Sequence, residues 1–206
     1  MAEPPYSVEE FLKIVTALST DMSDCATAIE VLARDEEKNA ETLPFWRRMC
    51  AYSTFALIAN ATYHMMYIAY VARHLRDVVF TLEELTVLEN AYDFNEDGEI
   101  EAGLNQTQML ERIKFAFNAF ARVHNSDYIL PHTPGRAGIE ELLRVKTGIS
   151  LPQSAAELEV SNANVTGMLV GAEWFMQRLF ELIESCRDSA RDRLAAWEAE
   201  KDEPIM

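Results

Sequence analysis

Between Ala51 and Ala72 the chain reads AYSTFALIANATYHMMYIAYVA, without a single Asp, Glu, Lys or Arg. A run of this length accepts only two environments: a bilayer, or an interior wrapped by other helices. Asn60, Thr62 and His64 interrupt it, and Arg47, Arg48, Arg73 and Arg76 flank both ends evenly, so there is no positive-inside bias. The buried central helix of a bundle is therefore expected, opening at Pro44 and running to about Arg76, with His64 as a hydrogen-bonded core residue beside Asn60. A central helix needs company, and the remaining sequence offers it. Hydrophobic residues make up 49% of the 206, with only seven glycines and seven prolines. That balance favours an all-α protein over a loop-rich β protein.

Ser7 and Glu10 form a capping box, SVEE, ahead of a seam at Phe11, Val15, Leu18, Met22, Cys25, Ile29 and Leu32. The steps alternate four and three, a heptad pattern that lays one narrow stripe on a partner helix, in the same chain or in a second subunit. RDEEKNAE follows as a charged linker. Thr81 and Glu84 cap a short helix to about Asn90, and a further helix is expected from Gln106 to Asn125 with Met109, Leu110, Ile113, Phe117 and Phe120 on one face. After the turn-rich SDYILPHTPGRAG, a short helix is expected over Ile139 to Lys146. Ser161 caps the last one, Asn162 to about Lys201. Ala163, Gly167 and Gly171, four apart, make a smooth stripe for close packing, within the chain or between subunits. Beyond Cys186 the helix turns polar, so its end projects into solvent or touches a neighbour through Leu194 and Trp197. Three segments result: the heptad helix and linker (1–44), a bundle core (45–186) and a charged extension (187–206).

The net charge of −16 disfavours phosphate backbones and suits a basic protein partner. MAEPPYSVEEF contains no apolar signal core. Cys25, Cys50 and Cys186 follow no metal or disulfide spacing and read as small apolar residues in a reducing cytosol. None of the four histidines, His64, His74, His124 and His132, has metal-ligand spacing to another His or Cys. The loop DFNEDGEIEAGL opens like a calcium loop, with Asp93, Asn95, Asp97 and Gly98 in place, but Leu104 stands where a bidentate Glu belongs. A hairpin, Tyr92 to Phe94 paired with Glu99 to Glu101 across NEDG, is the preferred reading, with weak calcium binding as the alternative. His132, between two prolines, is the freest residue for acid–base chemistry. No cofactor motif occurs: neither a Walker loop, GxGxxG, GxSxG nor HExxH.

Six pieces in order, FWRRMCAYSTFALI, TLEELTVLEN, DFNEDGEIE, LERIKFAFNAFARV, LPQSAAELEVSNANV and GAEWFMQRL, resemble a bacterial branch of the HEPN superfamily. The resemblance covers about Phe45 to Glu184. It implies a HEPN-like up-and-down bundle with one small β-hairpin insertion, a homodimer, and a bacterial defence or toxin–antitoxin setting. Active members carry an Arg, a polar residue just after it and a His four to six residues on, which together cleave RNA. Anchored on PQSAAELEV, those positions fall on Lys146, Thr147 and Leu151. A shifted gap places the Arg on Arg144, and no His follows in either register. Leucine can neither transfer a proton nor carry charge, so the expected chain is non-catalytic, cytoplasmic and active through protein contacts. The alternative is a residual metal-independent ribonuclease, or a nucleotide-binding protein, using Arg144, Lys146 and His132. A positive patch joining Arg136, Arg144 and Lys146 would mark it.

Overall fold

The computed structural model describes residues 8–75, 78–89, 106–131 and 135–201. Among these residues the protein is all-helical, with α1 (Val8–Leu32), α2 (Leu43–Ala72), α3 (Leu82–Glu89), α4 (Gln106–Val123), α5 (Arg136–Ser150) and α6 (Asn162–Lys201). Single 3₁₀ turns follow α1 and α2 and precede α6. Ser7, the hairpin and calcium-loop residues Asp93, Asn95 and Asp97, Arg76 and His132 lie outside the described residues.

Helix α2 is the centre: each of the other five helices packs on it. No described helix is long and apolar enough to cross a membrane. The polar residues that interrupt α2 bond to its own turns. Thr54 Oγ1 donates to the Cys50 carbonyl at 2.7 Å, Thr62 Oγ1 to Ile58 at 2.7 Å, and Asn60 Nδ2 to Ala56 at 2.8 Å. These three donors are satisfied locally, so covering them carries no unpaired-donor penalty. The His64 ring is buried between neighbours, 6.2 Å from the Phe11 centroid and 5.2 Å from that of Tyr63. Burial holds its pKa below the ordinary histidine value.

The heptad stripe of α1 lies on α2 of the same chain. Phe11 and Val15 are fully buried, while Leu18 and Met22 are half-buried against the same core. Phe11 reaches α4 as well, with its ring 6.5 Å from Phe120. On the far side, Phe117 of α4 meets Phe175 of α6 edge-on at 5.7 Å.

Capping sets the helix starts. The Thr81 amide donates to Glu84 at 2.8 Å and the Glu84 amide to Thr81 Oγ1 at 3.2 Å, a reciprocal box. Ahead of α6, Ser161 exchanges the same kind of bonds with Asn164. Arg47 then ties that corner to the linker: it donates to Asn162 at 3.0 Å and pairs with Glu36 at 2.8 Å.

One element corrects the sequence reading. Helix α5 runs Arg136–Ser150, a turn longer at each end than Ile139 to Lys146. At its start, the glycine that reads as a loop residue is there for packing: a Cβ on Gly138 would lie 2.5 Å from the Gly171 amide nitrogen on α6. At its end, Gly148 costs some helix propensity but does not stop the helix. The stop is Leu151, at φ −132° and ψ 60°. Pro152 follows it, and a residue before proline is pushed out of the helical region.

Candidate functional site

Helices α4 and α5 border an open groove of about 390 Å³ that contains Arg136 and Arg144. Three carboxylates, Glu111, Glu140 and Glu141, line the same groove. Each cation is already engaged. Arg136 Nε meets Glu140 at 2.8 Å, and Arg144 forks onto Glu141 through Nε at 3.0 Å and Nη2 at 2.6 Å. Glu141 also accepts from Asn164 Nδ2 at 2.6 Å. Arg144 first, and Asn164 with it, hold the Glu141 carboxyl below its ordinary value. A phosphate entering here would have to displace these carboxylates, and two guanidinium groups against three carboxylates leave the groove net negative.

Lys146 does not join that groove. Two residues from Arg144, it lies on a different face of α5. Its ammonium sits 4.7 Å from the centroid of Phe55 on α2. Thr147 is exposed, and its carbonyl accepts the Leu151 amide at 3.1 Å. Leu151 itself is 69% exposed. The structure therefore splits Arg144 from Lys146, Thr147 and Leu151 and forms no single basic patch from them. His132 lies outside the described residues.

Near Leu151 several exposed apolar side chains stand among polar ones instead. Phe45 and Tyr52 stand two turns apart on the outer face of α2, 49% and 39% exposed, and Leu158 is 37% exposed. Hydrogen bonds hold this face together: Tyr52 donates its hydroxyl to the Ile149 carbonyl at 3.2 Å, and Arg48 reaches the Leu158 carbonyl at 3.4 Å. Phe45 and Tyr52 gave no warning in the sequence. In a helix apolar on all sides, periodicity does not separate the outward residues from the buried ones.

The other candidates fall elsewhere. Gly171 is filled by α5, and Gly167 lies within 3.4 Å of Glu141 Cγ, measured from the position of an added Cβ, while Ala163 is exposed. Among the described residues no group of three or more His, Cys, Asp or Glu is placed to hold a metal ion. All three cysteines are free thiols and buried. No family model, no curated protein and no solved structure matches the chain.

Proposed function

We propose that this chain is a HEPN-like helical bundle that has lost ribonuclease chemistry and works by binding proteins, either a second copy of itself or a basic partner. The observation that carries the reading is Leu151. At the position where an active member keeps its proton-transferring histidine stands an exposed leucine, with the exposed apolar side chain of Tyr52 close by through its bond to the Ile149 carbonyl. Exposed apolar surface suits a protein contact, and leucine supplies no acid or base. The groove supports the reading too, since its arginines are neutralised by neighbouring glutamates. A net charge of −16 favours a basic partner over RNA. The implied setting is bacterial defence or a toxin–antitoxin pair.

The test is RNA cleavage by purified protein in the presence of chelator, beside the double variant Leu151→His with Lys146→Arg. The wild type is expected to leave RNA intact. Activity gained by the variant would support the family reading directly. Metal-independent cutting by the wild type, abolished in His132→Ala or Arg144→Ala, would overturn it in favour of a residual ribonuclease.

A further inference from the structure

Helix α6 outlasts the bundle it belongs to. It has 40 residues, about 60 Å at 1.5 Å per residue. Among the described side chains its core-facing residues are Val165, Met168, Ala172, Phe175, Leu179, Leu182 and Cys186, and none follows up to residue 195. From 187 to 195 every residue is exposed except Ser189, which is partly covered, and the helix continues to Lys201. A single helix of that length is marginal in water. Its ion pairs, Arg187 with Glu184 at 3.9 Å and Arg191 with Asp188 at 3.7 Å, are exposed and contribute little.

A second stripe runs beside the core-facing one: Met176, Phe180, Ile183, Arg187, Ala190 and Leu194. Its steps alternate four and three, the spacing of a coiled-coil seam. Phe180 on the body and Leu194 on the projection are 52% and 54% exposed. Met176 and Ile183 are partly covered by the protein's own core, so the stripe borders the bundle and runs on over residues 187–195, and among the described residues no second helix covers its outer side.

We infer that the helix covering it is α6 of a second copy, packed antiparallel about a two-fold axis between Asp188 and Ser189. In that register Ile183 lies opposite Leu194 of the second copy, and Arg187 opposite Ala190. Glu184 flanks the seam beside Arg191 of the second copy, and symmetry makes this attraction twice. A parallel pair would instead set Arg187 against Arg187 inside the seam, which like charge forbids. Antiparallel packing also carries the two acidic bodies to opposite ends. This surface is separate from the Leu151 face, and its argument does not depend on what that face binds.

Sedimentation velocity of the full chain over a concentration series tests the inference, with circular dichroism to check helix content. The wild type is expected to be a dimer, and Phe180→Glu with Leu194→Glu a folded monomer. Arg191→Glu is expected to weaken the dimer about tenfold, and adding Glu184→Arg to restore it, because the swapped charges meet again only in the antiparallel register. A wild type monomeric throughout, or a dimer indifferent to the apolar pair of substitutions, would overturn the proposal. Loss on Arg191→Glu without rescue by Glu184→Arg would overturn the register.

Discussion

Gly138 on α5 and Gly171 on α6 meet backbone to backbone, so that a Cβ on Gly171 would lie 2.5 Å from the Gly138 carbonyl carbon. Atoms of the main chain cannot swing aside as a side-chain end can. Gly171→Ala should therefore force the two helices apart and cost about 1–3 kcal/mol. Gly148, on the same helix α5, is the internal control: an added Cβ there meets nothing closer than 3.5 Å. Gly148→Ala should be stabilising by about 0.5–1 kcal/mol through helix propensity alone. Urea unfolding of the two variants should move the midpoint in opposite directions. Equal shifts would mean that the α5–α6 crossing is looser than described.

Arg122 and Glu84 tie the end of α4 to the first turn of α3. The guanidinium forks onto the carboxylate at 2.9 and 3.0 Å, also donates to the Val79 carbonyl at 2.7 Å, and lies 4.1 Å from the Phe80 ring centroid. Glu84 caps α3 as well, and Arg122 is the main reason that its carboxyl sits below the ordinary range. A carboxyl lowered on folding stabilises fully above its unfolded pKa and loses that contribution as pH falls through the folded value. Glu84→Gln should cost about 1 kcal/mol at neutral pH. Its deficit against wild type should shrink on acidification, as measured by thermal unfolding across a pH series. A deficit constant with pH would assign the effect to the cap alone.

How far the sequence could be read depended on whether each signal was local. The box at Thr81 and Glu84, the start of α6 after Ser161 and the apolar face of α4 are local patterns, and the helices begin or pack where those patterns put them. The extent of α5 was not legible, because Gly138 carries the propensity of a loop residue while its reason lies across the bundle at Gly171. The division of the candidate site was equally hidden. Arg144 and Lys146 are neighbours in sequence, yet α5 turns one toward Glu141 and the other onto Phe55. The Glu141 partner of Arg144 is local to α5, but only the packing of α2 shows that Lys146 meets Phe55.

The buried imidazole of His64 gives the stability a pH dependence near neutrality. Burial lowers its pKa in the folded protein, while the unfolded chain keeps the ordinary value of about 6.5. Below that value the unfolded state takes up a proton that the folded state resists, so stability falls with pH until the folded pKa is passed. His64→Leu should flatten the fall in stability that sets in below about pH 6.5 in the wild type. Retention of the full slope in the variant would move its origin to another group.

The cysteines should behave as packing residues. Cys50 is fully buried on α2, and desolvation pushes its thiol up to about 11, so almost no thiolate exists near neutral pH. Cys25 lies beside it on α1, its sulfur 3.7 Å from the Ser53 hydroxyl, and Cys186 closes the core-facing stripe of α6. Iodoacetamide added to the native protein at pH 8 should leave Cys50 unmodified for hours, while denaturant should expose all three to complete alkylation. Mass spectrometry of the native reaction gives the order of exposure. Cys186, at the last turn before the projecting end of α6, should react ahead of Cys50. If Cys50 were alkylated first, the α1–α2 contact would have to open more readily than the end of α6, contrary to a core centred on α2.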